Sequence, residues 1–356
     1  MNIIRIEGVQ IDGVYGCIPE NMVDNEEALN RLFGEREAKN IVKATGIYKR
    51  TIADVGTSSL DLCVACAKRM IRDKVFAPKE IGAVVFVTFT PERILPYNAA
   101  KVQDMLGLGN DVASFDMGLA CSGYVYGLWA AATLAKQTGR KVLLLDGDVQ
   151  SAYLSGEDKS TTPVLSDAGT ATVISADENN DSKWEFAFYT DGSGRDILTI
   201  PAGGSGMPTT EESLKKRLYD DGSRRRDVDI YMDGFEVFKF VAQPVSKFIS
   251  EFCSKTVGSV EVFDGFVPHQ ANMYMIKQLA RKLKIPWEKT WKSGDKVGNS
   301  ASATIPITIS MNADEMLQKN TSELLISGFG GGLSASAGRI ELNKEAAYCL
   351  FHYGEE

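Results

Sequence analysis

Short apolar runs recur along the chain without strict polar–apolar alternation, which is typical of strands buried on both faces. Segments with helical periodicity, such as 271–284 and 300–318, alternate with these runs. This alternation predicts an α/β fold with a largely parallel sheet in each of two similar halves. The predicted strands are 81–88, 112–116, 141–146, 170–175, 262–267, 323–327 and 336–342.

The placement of these elements divides the chain into a first half, 1–176, a second half, 177–342, and a tail, 343–356. The stretch 202–233 breaks the pattern, because it is rich in Gly, Ser, Thr and charged residues. It is either a solvated insertion or a flap over a substrate entrance or docking surface. The aromatic-rich tail either packs on a neighbour or frays.

Composition excludes several classes of protein. The chain has 356 residues, 44% hydrophobic and 24% charged, which indicates a globular protein. Its net charge of −8 gives little support to general nucleic-acid binding. No apolar run approaches the roughly 18 residues of a membrane span, and the first residues predict a strand rather than a signal peptide. Six cysteines without a disulfide-like rhythm favour a cytoplasmic protein with free thiols.

Cys63 and Cys66 form one C-x2-C pair in a segment of helical periodicity, so both thiols share one apolar face. No second pair follows, and the chain has only two histidines. Because a structural zinc ion needs four ligands, we expect buried core thiols rather than a zinc or redox site.

Cys121, His269 and Asn299 each lie at a predicted strand-to-helix transition, where α/β folds place their sites. Each has a simple structural alternative: a small buried residue, a hydrogen-bonded core histidine and a helix N-cap. Together they predict thiol-based acyl transfer. Cys121 would lie at a helix start, where free backbone N–H groups stabilise thiolate over thiol.

The three glycines 330–332 follow a predicted strand. Their backbone N–H groups can turn toward a ligand and form an oxyanion hole with the N–H of Cys121. The alternative is a tight structural turn.

The ordered motifs resemble those of β-ketoacyl-ACP synthase III, a family of thiolase-like condensing enzymes. The resemblance spans roughly residues 1–342 and implies a five-layered αβαβα fold from two duplicated halves, usually in a homodimer. The motifs are Ala-Cys-Ser-Gly-Tyr at 120–124, Val-Pro-His-Gln-Ala-Asn at 267–272, Gly-Asn-Ser-Ala-Ser at 298–302 and Phe-Gly-Gly-Gly at 329–332, with support from 45–47, 166–169 and 236–239.

The resemblance implies a role for each site residue. Cys121 would accept the acyl group of a primer thioester. His269 and Asn299 would hydrogen-bond the carbonyl of a malonyl-type extender and stabilise the enolate left by loss of CO2. The N–H groups of Cys121 and Gly331 would hold the tetrahedral oxyanion. No metal ion or other cofactor is implied.

Acyl carrier protein is the partner that the resemblance implies, and its acidity calls for a local basic surface. Tyr274 stands where the family usually has an arginine, and Lys277 and Lys284 on the same predicted helix could compensate. The alternative is that these lysines line a solvated helix face. The implied docking residues are Lys239, Arg281 and Lys282.

Other positions depart from the family pattern. Asn40 and Ala44 replace a tryptophan and an arginine that grip the CoA nucleotide, and Lys159 replaces a further arginine. A short acyl-CoA is therefore not the expected primer. The implied acyl-pocket residues are Leu165, Phe329 and, contributed by the dimer partner, Leu95.

The sequence thus predicts a 3-oxoacyl-ACP synthase III-like enzyme that condenses an acyl group on Cys121 with a malonyl-ACP-type extender. Within the same fold, the alternative is an acyltransferase or condensing enzyme of a specialised pathway with a non-malonyl acceptor. A Cys-His-Asn hydrolase and a non-catalytic binding module are alternatives from other classes.

Overall fold

A computed structural model describes residues 1–177 and 179–355. Within them the strands are β1 (Ile4–Glu7), β2 (Val9–Ile18), β3 (Met22–Asp24), β4 (Lys49–Thr51), β5 (Ile81–Val87), β6 (Ala113–Met117), β7 (Lys141–Val149), β8 (Asp167–Ala176), β9 (Lys183–Thr190), β10 (Leu198–Thr199), β11 (Arg217–Leu218), β12 (Arg224–Arg225), β13 (Tyr231–Met232), β14 (Gly265–Pro268), β15 (Thr321–Gly330), β16 (Ser334–Asn343) and β17 (Ala347–His352).

The α-helices of the same residues alternate with the strands through most of the chain. They are α1 (Asn25–Phe33), α2 (Glu35–Thr45), α3 (Ser59–Arg72), α4 (Asn98–Met105), α5 (Gly123–Thr138), α6 (Gly234–Phe240), α7 (Ser246–Thr256), α8 (Met273–Leu283), α9 (Gly294–Val297) and α10 (Thr304–Met316). Among the described residues, no helix combines the length and apolar character needed to cross a membrane.

Two large sheets organise the molecule. The first has the order β17-β2-β8-β7-β5-β6, and the second has the order β1-β9-β16-β15-β14. Each chain terminus joins the sheet of the opposite half. Strand β1 pairs with β9 in the second sheet, and β17, from the tail, pairs in parallel with β2 in the first. The tail is therefore a sheet strand, and the two sheets cross the sequence boundaries predicted at 176 and 342.

The prediction of a largely parallel sheet in each half is wrong for the second half. There only β14 and β15 run parallel, whereas the other three pairings are antiparallel. The reason is local: β15 and β16 are joined by residues 331–333 alone, and so short a connection permits only antiparallel pairing. In the first sheet, β5 pairs in parallel with both β6 and β7.

The apolar core confirms the five-layered αβαβα arrangement. One cluster packs α3 on the outer face of the first sheet, and another packs α7 and α8 on the outer face of the second. The central cluster holds α5 and α10 between the two sheets. A helix enclosed in this way has no solvated face, which explains why both central helices are apolar almost all round.

Cys63 and Cys66 lie on α3 and are fully buried against the first sheet, as predicted. Burial raises the pKa of both thiols well above the usual range. Both therefore act as small core side chains.

The close contact of α3 with β8 leads to a prediction about the free energy of unfolding. A methyl group on Gly169 would lie 2.5 Å from Leu62 Cβ and 2.6 Å from the Cys63 backbone nitrogen. We expect Gly169→Ala to lower the free energy of unfolding by about 1–3 kcal/mol, because backbone must shift to admit it. Urea unfolding measures the change.

Gly206→Ala is the matched control, since no atom lies within 4 Å of its added methyl group. It should change the free energy by less than about 0.5 kcal/mol. Equal unfolding midpoints for the two variants would contradict the contact.

Candidate active site

A cavity of about 440 Å³ lies where the two halves meet. The three residues predicted for catalysis, Cys121, His269 and Asn299, all line it, although they are far apart in sequence. Most of the remaining wall is apolar, contributed by residues such as Phe89 and Leu198. The fold therefore brings the predicted set together in a largely apolar pocket.

Cys121 lies in the connection from β6 to α5, one residue before the N-cap of that helix. It is 9% exposed. Strand β15 passes directly over it: a methyl group on Gly330 would lie 2.6 Å from Cys121 Cβ, and one on Gly328 would lie 2.8 Å from the Cys121 carbonyl oxygen. Any side chain at these two glycines would displace the nucleophile.

The thiol of Cys121 rests protonated. Burial, with a smaller contribution from the Asp148 carboxylate, raises its pKa to about 12, although a backbone hydrogen bond acts in the opposite direction. The helix start expected from the sequence is present, but the resting thiolate is not favoured. The cost of removing the thiolate from water exceeds the stabilisation that the N–H groups of the helix start provide.

His269 follows directly after β14, and its backbone N–H donates to the Ser327 carbonyl at 2.7 Å. Its Nδ1 lies 2.7 Å from Thr304 Oγ1, and the Phe329 ring meets the imidazole edge-on at 5.4 Å between centroids. Burial lowers the pKa of His269 to about 3, opposed by a backbone hydrogen bond with Ala301. The imidazole is therefore neutral at physiological pH.

Asn299 is held by its backbone and by its amide oxygen. Its N–H donates to the Val164 carbonyl at 3.0 Å, and its carbonyl accepts the Ser166 N–H at 2.8 Å. Its Oδ1 accepts the Ala301 N–H at 3.0 Å. Because Oδ1 is committed to the turn, the amide N–H donors face away from it and are available to a ligand. Asn299 can therefore cap the turn through Oδ1 and bind a ligand through its amide N–H groups.

Asp148 was not identified from the sequence, yet it joins both halves beneath the site. Its buried carboxylate accepts from the hydroxyls of Thr88 and Thr90 at 2.9 and 3.0 Å, and from the Ser302 hydroxyl at 2.7 Å. Burial raises the pKa of Asp148 to about 6, although these hydrogen bonds oppose the rise. A signal was present in the sequence, since Asp148 is a charged residue near the end of the apolar strand β7.

Gly331 lines the cavity beside Cys121, as the oxyanion-hole prediction requires. Two hydroxyl groups fix its position. Ser334 Oγ donates to the Gly331 carbonyl at 3.0 Å and lies 2.7 Å from Ser122 Oγ, next to the nucleophile. The oxyanion role of the Gly331 N–H stays a prediction.

Of the three predicted pocket residues, Leu165 and Phe329 line the cavity. Leu95 does not line the cavity of its own chain and is 80% exposed. Its exposure fits a residue that acts on a second copy, and that role stays a prediction.

The stretch 202–233 is not simply a solvated insertion. Its last residues include Ile230 and Met232, which line the cavity, and Met232 pairs with Leu198 of β10. The end of the insertion is therefore part of the pocket wall, whereas most of residues 203–212 are exposed.

Arg225 anchors this insertion. Its guanidinium lies 3.0 Å from Asp158 and 2.9 Å from Asp221, and it stacks on the rings of Tyr219 and Tyr231. Its charge is thus both paired and covered by aromatic faces.

The predicted docking residues lie on α6 and α8. Arg281 and Lys282 line a shallow groove beside Phe238, and Lys282 donates to the Ala242 carbonyl. Lys239 pairs with Glu236 and keeps about half of its side chain exposed. Met275 borders both this groove and the cavity, so the basic surface adjoins the pocket.

Two of the residues that depart from the family pattern make contacts within this chain. Tyr274 stacks on Phe238 with ring centroids 5.9 Å apart. Lys159 lies 3.6 Å from the Glu37 carboxylate and over the Phe33 ring. The cation at 159 is therefore already engaged within the chain.

Comparisons with known proteins agree with this geometry. The family models for 3-oxoacyl-[acyl-carrier-protein] synthase III and for its C-terminal part match residues 115–192 and 254–342. A beta-ketoacyl-[acyl-carrier-protein] synthase III of Syntrophomonas wolfei is 33% identical over 92% of this chain and 95% of its own. That of Campylobacter concisus is 34% identical over 83% and 85% of the two chains.

Among solved structures, a 3-oxoacyl-(acyl-carrier protein) synthase from Burkholderia xenovorans superposes with a TM-score of 0.91. It is 30% identical, and the superposition covers 99% of each chain. The similarity therefore extends over nearly the whole of both chains.

The state of His269 makes a testable prediction. With two histidines in the chain, the variant His352→Gln leaves His269 as the single imidazole signal in 15N NMR. We expect this signal to report a neutral ring from about pH 8 to about pH 5, because burial depresses the pKa of His269. A titration midpoint near 6.5 would show that water reaches the ring.

Proposed function

The chain belongs to the β-ketoacyl-[acyl-carrier-protein] synthase III family, and on this premise we propose that it catalyses decarboxylative condensation at Cys121. One observation carries the proposal: a thiol, a neutral imidazole and an amide with free N–H donors line a single largely apolar cavity. Covalent acyl transfer needs the thiol, and enolate stabilisation needs the other two groups.

In the first step, Cys121 Sγ attacks the carbonyl of an acyl thioester. A carbon–sulfur bond to Cys121 forms, the bond to the carrier sulfur breaks, and the thiol proton leaves with the carrier. Because the pKa of Cys121 is raised, the proton must depart during the attack rather than before it. The backbone N–H groups of Cys121 and Gly331 hold the oxyanion in this scheme.

In the second step, a malonyl-type thioester binds and loses CO2. The electron pair of the broken carbon–carbon bond moves onto the thioester oxygen, where Nε2–H of His269 and the amide of Asn299 donate hydrogen bonds. Thr304 supports this role by orienting the imidazole, since its hydroxyl lies 2.7 Å from Nδ1. The carbanion then attacks the acyl carbon, the carbon–sulfur bond to Cys121 breaks, and the released thiolate takes up a proton from solvent.

No metal ion or redox cofactor takes part in this scheme, because decarboxylation itself supplies the carbanion. The proposed carrier of the extender is acyl carrier protein, docked on Lys239, Arg281 and Lys282. The nearness of this basic groove to the cavity supports it. The six free cysteines are consistent with a cytoplasmic setting.

A homodimer is proposed through the edge strand β6 of the first sheet. Residues 98 and 99 donate their N–H groups to Asp116 on this strand, which holds the preceding apolar segment beside the edge. An edge with exposed apolar side chains favours association. The exposed residues are Ile94, Leu95, Tyr97 and Phe115. In this dimer Leu95 would close the acyl pocket of the second copy.

Transfer of the acyl group to a non-malonyl acceptor is the second candidate function. The pairing of Lys159 with Glu37 favours a specialised substrate, because a nucleotide phosphate would have to compete with that carboxylate for the cation. Release of CO2 in step with product formation distinguishes the two functions.

Loading of the nucleophile gives the first test of the proposed function. Intact-mass spectrometry with a panel of acyl thioesters should detect one acyl adduct on the wild-type protein and none on Cys121→Ala. Cys349→Ala is the matched control, because Cys349 is the more exposed thiol but lies outside the cavity. An adduct that survives in Cys121→Ala would overturn the assignment of the nucleophile.

Asn299→Ala separates the two steps. Its loss of an N–H donor should slow malonyl decarboxylation by about 10²–10³-fold, as removal of one oxyanion donor does. Self-acylation of Cys121 should change by only a few-fold. Decarboxylation is followed by release of labelled CO2, and a wild-type rate would refute the enolate role.

A further inference from the structure

Gln150 is a polar residue in the wall of the cavity that the proposed reaction does not use. It follows β7 directly, is 2% exposed, and lines the cavity together with Phe89 and Leu165. A glutamine carries two N–H donors and one carbonyl acceptor, so the orientation of its amide decides which group faces a ligand.

Two backbone carbonyls fix this orientation. Nε2 of Gln150 donates to the Ser166 carbonyl at 2.8 Å and to the Asn299 carbonyl at 2.7 Å. The reverse orientation would place Oε1 against two acceptors, with no hydrogen between them. Both N–H groups are therefore committed, and Oε1 must face away from these two carbonyls.

The carbonyl oxygen of Gln150 is the part of its amide that the hydrogen bonds leave unused. Within residues 1–177 and 179–355, Oε1 accepts no hydrogen bond. It is also not fully enclosed by protein atoms. Because Gln150 lines the cavity, Oε1 is the group of its amide that remains for a ligand there. Such an acceptor, set among apolar side chains, is costly to cover with an alkyl group.

Gln150 and Asn299 consequently present opposite polarities to the same cavity. Asn299 uses its oxygen internally and offers N–H donors, whereas Gln150 uses its N–H groups internally and offers an oxygen. The donors suit a thioester carbonyl. The oxygen requires an O–H or N–H group, which a plain acyl chain does not have.

We propose that Gln150 is a specificity-determining residue that selects acyl groups bearing a hydroxyl or amide donor over plain alkyl acyl groups. Because Gln150 is bonded to Asn299, the donor belongs near the thioester end of the acyl chain. This inference rests on the proposed acylation of Cys121. A pocket with a buried acceptor rejects the ligand that leaves it unpaired.

The test measures the rate of Cys121 acylation by intact-mass spectrometry on the full-length protein. N-acetylcysteamine thioesters of hexanoate, of both 3-hydroxyhexanoate enantiomers and of 3-acetamidopropanoate remove any contribution of the carrier. We expect at least one donor-bearing acyl group to load about tenfold or more faster than hexanoate. The donor-bearing thioester that loads faster shows whether a hydroxyl or an amide is the preferred donor. Equal or faster loading of hexanoate overturns the proposal.

Gln150→Met tests the residue itself, since methionine has a similar shape and no strong acceptor. It should remove the preference by speeding hexanoate and slowing the donor-bearing group. Leu165→Met is the matched control: it reshapes the same wall without changing its polarity, so absolute rates change and the preference remains. A preference that persists in a folded Gln150→Met protein also overturns the proposal.

These outcomes are separable from failure of the proposed function. If no thioester loads Cys121, both the acyl-transfer function and the role of Gln150 are refuted. If acyl groups load without a donor preference, only the role of Gln150 is refuted.

Discussion

The buried Asp148 carboxylate is the interaction on which the site geometry depends. It accepts hydrogen bonds from the end of β5 in the first half and from Ser302, three residues after Asn299, in the second. These bonds compensate for the cost of burying the carboxylate, but burial still raises its pKa. The same negative charge opposes ionisation of Cys121. The group that aligns the site therefore adds to the effect of burial, which is the larger cause of the raised pKa of Cys121.

Around Asp148, hydrogen bonds of amides and hydroxyls, rather than ion pairs, set the orientation of the site residues. Backbone groups fix the amides of Gln150 and Asn299, and Ser334 fixes the turn at Gly331. The imidazole of His269 is fixed by Thr304. Neutral groups suit a low-dielectric pocket, because each can be buried with its hydrogen bonds satisfied at little cost. Charge then develops only when a substrate reacts.

Much of the fold was predictable because buried strands are apolar on both faces. The runs at 81–88 and 141–146 correspond to β5 and β7, and the run at 323–327 lies within β15. Strand directions in the second sheet were not predictable from strand-to-helix alternation. They depend on which consecutive strands are joined by a short turn, because such strands must be antiparallel. The tail strand β17 was missed because its pairing with β2 joins residues more than 300 positions apart.

The catalytic candidates were predictable from local context, whereas their supporting groups were not. Cys121, His269 and Asn299 each stand in a recognisable motif at a strand-to-helix transition. Asp148 and Gln150 gain their importance from contacts with residues on distant segments. The raised pKa of Cys121 was not predictable for the same reason, because a helix start is visible in sequence and the depth of burial is not.

The anchoring of the insertion bears on how such a pocket can change over time. The wall formed by Ile230 and Met232 is held through Arg225 and Asp158, and none of these four residues belongs to the catalytic set. Mutations in the insertion can therefore reshape the pocket while the reacting groups stay aligned by separate bonds. Part of the selectivity is therefore encoded outside the segments that carry the chemistry, which lets a lineage acquire a new acyl substrate without first rebuilding its reaction centre.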